Sequence, residues 1–262
     1  MRALSISSTG MLAQQLNVEV ISNNIANLNT TAFKRQRAEF QDLLYQNLRR
    51  VGAQSSDAGT VVPSGIQIGV GVKTGSVYRI TEQGNLNKTD NMYDLAVKGR
   101  GFFRITLPNG DTGYTRAGAF QLSPAGQIVT LDGYTLQPGI TVPQAAVDVT
   151  INNVGQVQVK LADQTTPQTV GQIQLAIFFN EAGLEALGDN LFVETPASGA
   201  ANVANPGDAG FGAIQQGFLE TSNVNAVSEI TSLITAQRAY EMNSRVITAS
   251  DEMLAAVANL RA

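Results

Sequence analysis

Two stretches of the chain repeat apolar residues every seven positions, and the long interval between them alternates every second position. In the first stretch Leu4, Met11, Val18 and Ile25 stand seven apart, with Ile21 and Leu28 at the complementary positions. Leu12, Leu16 and Val20 add a second apolar flank. The stripe is therefore wider than a two-stranded seam and suits a helix that touches several neighbours. It runs out over residues 22–31, where Ser, Asn and Thr side chains compete for the backbone and favour a turn. In the last stretch Ala226, Leu233, Tyr240, Ile247 and Leu254 stand seven apart, beside a second line of Ala239, Val246, Met253 and Leu260. With Ser222 or Asn223 as N-cap, a helix over 224–260 would run about 55 Å at 1.5 Å per residue. That is the length of an assembly element rather than of an ordinary globular helix. Heptads at both ends predict that the two helices pair and that the chain ends meet.

Glycine and proline divide the chain in the same places. All eight prolines lie between Pro63 and Pro206, and of 25 glycines only Gly10 precedes Gly52 and none follows Gly217. Residues 11–51 and 218–262 thus lack a strong helix breaker. Between them Ile66/Ile68/Val70/Val72, Val147/Val149/Ile151, Val157/Val159/Leu161 and Ile173/Leu175/Ile177/Phe179 each put apolar side chains on one strand face. Asp132-Gly133 reads as a two-residue hairpin turn of type I′. Pro108-Asn109-Gly110 and Pro124-Ala125-Gly126 mark further turns. The expected architecture is α+β, with terminal helices paired as a coiled coil around an antiparallel all-β insertion over 96–204. Composition alone makes 51–65, rich in Gly, Ser and Ala, a flexible loop.

Composition narrows the chemistry. The 262 residues include no Cys, no His and no Trp, and only 15% are charged, while 20 Asn and 21 Gln take up the polar positions. Histidine-dependent nucleophiles, His- or Cys-ligated metals and disulfides are excluded by the missing side chains. A formal net charge of -4 argues against a nucleic-acid partner, which would need a basic face for phosphates. No apolar run of about 18 residues is present, so no membrane insertion is expected. Gln14, Gln15, Asn17 and Glu19 break up any secretory leader in the first 30 residues.

Acid pairs are the one enzymatic route left, and Glu181, Glu185 and Asp189, four apart, would share one face of a helix. That pattern reads first as a solvated face. Gly69-Val70-Gly71-Val72-Lys73-Thr74 misses the phosphate-loop pattern and reads as strand, and Lys98-Gly99-Arg100-Gly101 reads as a turn between two strands. No catalytic residue, metal ligand or cofactor is expected.

The chain ends carry the most specific signal. Ser22-Asn23-Asn24-Ile25-Ala26-Asn27-Leu28-Asn29-Thr30-Thr31-Ala32-Phe33-Lys34-Arg35 closely resembles a signature of the bacterial flagellar axial proteins, the rod and hook family. Glu220-Thr221-Ser222-Asn223-Val224-Asn225 and Gln237-Arg238-Ala239-Tyr240-Glu241 resemble its other hallmark. Residues 40–46, 63–69, 83–86 and 98–103 are similar to the members that form the distal rod.

The resemblance implies a structural subunit of a tube, with no enzymatic activity. It implies an inner helical layer from 1–35 and 222–262, a connecting β-rich domain from 36–95 and 205–221, and the 96–204 module outermost. The two lines Leu4, Met11, Val18, Ile21, Ile25, Leu28 and Ala226, Leu233, Tyr240, Ile247, Leu254 would then face other subunits. Asn23, Asn24, Asn27, Phe33, Ser222, Asn223, Asn225, Gln237, Arg238 and Tyr240 are the motif positions. A rod-specific stretch over about 46–64, including Arg49, Arg50, Val51, Val61, Val62 and Pro63, would fill gaps between subunits and stiffen the tube. The implied partners are further copies of the chain, hook and proximal-rod proteins, the surrounding rings of the outer membrane and peptidoglycan layer, the export apparatus and a rod cap. The implied location is the basal body across the periplasm, reached without a cleaved signal. The alternatives are a proximal-rod or hook protein of the same family, a peptidoglycan-acting or -binding β module using Glu181 and Glu185, and a soluble coiled-coil adaptor.

Overall fold

The computed structural model describes residues 2–49, 64–162 and 166–259. The protein is α+β, with helix α1 at Arg2–Ala26, helix α2 at Ala226–Asn259 and antiparallel strands between them. Its described residues form two compact units, one drawn from Met1–Ala26, Gln36–Tyr78 and Asn225–Ala262, the other from Asn27–Arg35 and Arg79–Val224.

In the first unit α1 and α2 run antiparallel, since Asn24 meets Glu229 near one end and Gly10 meets Asn243 further along. The side chains buried on α2 are small or polar, while α1 also buries Val20 and Ile21. α1 buries Ser7, Ala13, Val20, Ile21 and Asn24, and α2 buries Glu229, Ala236 and Ser250. A Cβ added at Gly10 would lie 3.0 Å from the Asn243 amide nitrogen, so the Asn243 side chain packs directly on the glycine. Strands β1 (Gln36–Asp42), β2 (Tyr45–Arg49), β3 (Ile66–Gly69) and β4 (Val72–Arg79) complete the unit, with β1 beside β4 and β2 antiparallel to β3.

The breaker-free run to residue 51 is thus not helical to its end. α1 stops at Ala26, polar turn residues follow, Ala32 takes a positive φ of 57°, and strand partners claim 36–49. The N-cap of α2 is also displaced from Ser222 or Asn223. Asn225 caps it, its Oδ1 accepting the Ser228 N–H at 3.2 Å, because the two earlier side chains are engaged elsewhere.

The second unit contains β5 (Leu86–Lys88), β6 (Leu95–Lys98), β7 (Phe102–Thr106), β8 (Thr112–Thr115), β9 (Gln121–Leu122), β10 (Ile128–Val129), β11 (Thr135–Leu136), β12 (Ala146–Ile151) and β13 (Gln156–Leu161). It continues through β14 (Gln168–Gln172), β15 (Leu175–Ile177), β16 (Glu185–Gly188), β17 (Leu191–Val193), β18 (Asn202–Ala204), β19 (Ala213–Gln216) and β20 (Phe218–Glu220). The main sheet runs β16-β17-β8-β7-β11-β10-β9, with β15 joining β7 to β18. β12-β13-β14 form a second sheet, and β19 with β6 and β20 with β5 form ribbons.

Period-two alternation splits the core between the faces of the main sheet. Phe103, Ile105, Leu175 and Leu191 join Val149, Val157 and Val159 in one cluster, and Phe102, Tyr114, Ala176 and Phe178 form another. Tyr114 and Phe178 meet edge to face at 4.8 Å between ring centroids, as do Phe103 and Phe120 at 5.2 Å.

Three details depart from the sequence pattern. The Asp132-Gly133 turn is a three-residue loop rather than a two-residue one. Gly133 N–H donates to the Thr130 carbonyl, Thr130 N–H to the Tyr134 carbonyl, and Gly133, not Asp132, takes the positive φ (86°). A type I turn closed by a left-handed residue gives the same twist as type I′ with a single strained position. The Ile173–Phe179 alternation ends with β15, so Phe178 turns inward (1% exposed) and Phe179 stands wholly in solvent (101%). Glu181, Glu185 and Asp189 share no helix face: they occupy a 3-10 turn, a strand and a left-handed position at φ 50°.

Candidate assembly surfaces and the motif junction

Glu220 closes β20 and is buried with its charge. Its Oε1 accepts from Lys34 Nζ at 2.6 Å and from the Gly84 N–H at 2.9 Å, and its Oε2 accepts from Arg116 Nε at 2.7 Å. Its backbone carbonyl takes the Ala32 N–H. The remaining donors are spent as well: Lys34 on the Glu82 carbonyl, and Arg116 on the carbonyls of Val97, Gly99 and Gly101. Gly84 has to be glycine, because a Cβ there would lie 2.0 Å from the Thr221 carbonyl oxygen.

Burial pushes the Glu220 carboxyl upward, but Arg116 and Lys34 outweigh it and hold the group below its ordinary value. Burial lowers the Lys34 ammonium in spite of Glu220. With both Glu220 oxygens bonded to cations and Arg116 spread over three backbone carbonyls, the cluster acts as a mechanical pin between β20, residue 34 and the 97–101 turn.

Asparagines do similar work with less charge. Asn223 Oδ1 accepts the Arg35 N–H at 2.7 Å, and its Nδ2 donates to the carbonyls of Ile80 and Glu82, so one side chain joins three segments. In the helical unit the buried carboxamide of Asn24 meets Gln36 at both N–H and C=O, each at 2.8 Å, as a neighbouring strand's peptide would. It also donates to Glu229 at 3.2 Å. Asn27 Oδ1 accepts from Thr30 Oγ1, Ser222 Oγ accepts the Val224 N–H, and Phe33 is half-buried. Asn23, Gln237 and Arg238 occupy exposed helical positions.

The apolar heptad residues lie on either side of the helix seam. Leu4, Met11, Val18, Ile25, Ala226, Leu233 and Ile247 are half-buried, as is Leu28 beyond the end of α1, and Ile21 is buried. Tyr240 and Leu254 are exposed at 45% and 41%. Val227, Ile230, Ile234, Met242, Val246, Met253 and Val257 on α2 are exposed too. An open groove of about 380 Å³ between the helices is lined by Gln15, Val18, Glu19, Gln237, Tyr240 and Glu241. Arg49 ends β2, and Arg50, Val51, Val61, Val62 and Pro63 lie outside the described residues.

Sequence reasoning missed Arg116 and the roles of Lys34, Glu220 and Gly84. Lys34 and Glu220 did leave a trace, as charges inside otherwise neutral polar motifs, whereas nothing around Arg116 distinguished it. Among the described residues no group of three or more acids could hold a metal, and no helix is long and apolar enough to cross a membrane.

Three family models match the chain. Residues 4–34 match the flagella basal body rod protein model, residues 96–159 the flagellar hook protein FlgE/F/G D1 domain, and residues 215–260 the flagellar basal body rod FlgEFG protein C-terminal model. The flagellar basal-body rod protein FlgG of Caulobacter vibrioides is 65% identical over 261 residues, covering 100% of both chains. The protein of the same name from Agrobacterium fabrum is 53% identical over 98% of each chain. That of Bacillus subtilis is 41% identical over 100% of this chain and 99% of its own.

Proposed function

Since the chain belongs to the flagellar basal-body rod and hook family, as a structural rod subunit, we propose that it polymerises into the distal rod, a stiff tube that carries torque from motor to hook and houses the export channel. The observation that carries this reading is helix α2, whose buried side chains are small or polar and most of whose large apolar residues face solvent. Exposed apolar surface repeated along a 34-residue helix is removed from water when further copies pack against it.

In this reading α1 and α2 pair as a coiled coil in the innermost layer, where Leu4, Met11, Val18, Ile21, Ile25, Leu28, Ala226, Leu233, Tyr240, Ile247 and Leu254 meet neighbouring subunits. The 36–95 and 205–221 segments connect this layer to a 96–204 module that faces outward. The 46–64 stretch fills gaps between copies and stiffens the wall. Hook and proximal-rod proteins cap the two ends, ring proteins surround the tube across the periplasm, and subunits arrive through the flagellar export route.

Electron microscopy of isolated basal bodies tests the assignment. A straight distal tube built of this chain, lined by both termini, is the expected image, and a curved hook-like tube after deletion of 46–64 is the expected consequence of losing the stiffening stretch. Basal bodies that keep an intact, straight distal rod in cells lacking the chain would refute it.

A further inference from the structure

The dipeptide Asn-Gly occurs once in the chain, at Asn109-Gly110, and it sits at the tip of the β7–β8 hairpin. Here an asparagine amide is most open to attack by its own backbone, because glycine has no Cβ to shield the following nitrogen. The Gly110 nitrogen forms a bond to Asn109 Cγ, the side-chain nitrogen takes up the displaced proton and leaves as ammonia, and a cyclic imide remains. Water then breaks one of the two imide C–N bonds, which leaves aspartate or isoaspartate at 109.

In the folded chain the groups this reaction needs are already held. The Gly110 N–H donates to the Leu107 carbonyl at 2.9 Å, so the attacking nitrogen is tied into the turn. Asn109 Oδ1 accepts the Asp111 N–H at 3.1 Å, and Asn109 Nδ2 donates to Asp111 Oδ2 at 2.6 Å. Both ends of the carboxamide are therefore bound to residue 111. Donation to a carboxylate also strengthens the flow of the nitrogen lone pair into the amide carbonyl, which makes Cγ a poorer electrophile. Burial contributes nothing to this restraint. Asn109, Gly110 and Asp111 are all exposed, and a Cβ on Gly110 would meet nothing within 4 Å.

The product does not suit the same turn. A carboxylate at 109 replaces the 2.6 Å donor contact with two like charges. Isoaspartate adds a backbone carbon to the turn that the Gly110–Leu107 and Leu107–Asp111 backbone hydrogen bonds close. β7 supplies Phe103 and Ile105 to the core, so a hairpin that cannot close disturbs the centre of the β unit.

We propose that Asn109 is the site at which the unfolded chain deamidates, and that Asp111 blocks the reaction once the β7–β8 hairpin has formed. The site belongs to the single chain and is independent of polymerisation.

The purified full chain is incubated in warm, mildly alkaline buffer, either folded or in guanidinium chloride. Mass spectrometry and isoaspartate labelling then follow the tryptic peptide 105–116 and the peptides that hold the other asparagines. In denaturant, deamidation at Asn109 leads that at every other asparagine. In the folded chain it is slower by at least about tenfold, because the turn has to open first. Asp111→Ala speeds the reaction in the folded chain by at least about fivefold, the size expected for one lost hydrogen bond. Asp111→Asn keeps an acceptor for Asn109 Nδ2 and stays near the native rate. Equal rates in the folded and denatured chain, faster deamidation elsewhere in denaturant, no acceleration in Asp111→Ala, or equal acceleration in Asp111→Asn would each overturn the proposal.

Discussion

In the β unit Phe103, Ile105, Leu136 and Leu175 leave no measurable surface to solvent, whereas in the helical unit Val227, Met242, Met253 and Val257 each expose more than half of theirs. The ionic groups differ in the same way. Glu220 is buried and saturated by two cations and an amide N–H, while the acids of α2 after Glu229 stand exposed. The β unit buries a large apolar core within one chain. α1 buries Val20 and Ile21, but α2 buries only Glu229, Ala236 and Ser250 and leaves most of its large apolar side chains for another surface. A rod subunit needs both behaviours, a body that stays folded and a helical part that becomes complete in the polymer.

The comparison is broken most severely by removing the pin of the β unit. Glu220→Ala strands Lys34 and Arg116 in a buried site, and loss of one partner from a buried ion pair costs about 3–5 kcal/mol. Thermal unfolding of the purified chain should show a loss of that size in the β unit, and a change under about 1 kcal/mol would mean that the cluster is dispensable.

The same cluster sets a pH dependence in which stability rises with pH at both the acid and the alkaline end. The Glu220 carboxyl is held below its ordinary 4.5, so its contribution is full at neutral pH and is lost as pH falls below 4.5 and through the lowered folded value. Lys34, lowered from 10.5, burdens the folded state while charged, and that cost is relieved as pH rises through its lowered value toward 10.5. Stability followed by denaturant titration across pH should lose its Glu220-dependent acid limb in Glu220→Gln. An unchanged acid limb in that variant would assign it to other groups.

In the helical unit the expected effects are smaller for a single chain. Gly10→Val pushes a side chain against Asn243, and overpacking of this kind costs about 1–3 kcal/mol. Asn243→Ala in the same chain should recover part of the loss, and strictly additive costs would place the two residues out of contact. Met253→Ser with Val257→Ser removes apolar side chains that are mostly exposed, so the single chain should change by only about 0.5 kcal/mol. Rod assembly, scored by motility and by basal-body yield, should fail in the same variant. Normal rods from it would show that these side chains are not assembly contacts.

The sequence disclosed the division into helical ends and a β interior, because breakers and periodicities act locally. It was silent wherever a distant partner decides the outcome. Residues 36–49 carry no breaker yet form strands, since β3 and β4 pair with them. On α2 the line that buries, Glu229, Ala236 and Ser250, with half-buried Asn243 between, also repeats by sevens. It contains no large apolar residue, so a search for hydrophobic heptads passes over it. The motif asparagines were visible as a pattern, but their partners were not, because the backbone groups that Asn24 and Asn223 bind lie in strands and turns that have to form first. Arg116 remained hidden because its contacts, the carbonyls around the 97–101 turn and Glu220, are far from it in sequence.

Amide hydrogen exchange, compared between the free chain and assembled rods, tests the central claim that the β unit is complete in one chain and the helical unit only in the polymer. The amides of Phe103, Ile105 and Val157 should exchange slowly in both states. Those of α2 between Val227 and Val257 should slow by at least about tenfold on assembly, equivalent to about 1.4 kcal/mol. Helical amides as slow in the free chain as in the rod would contradict the account.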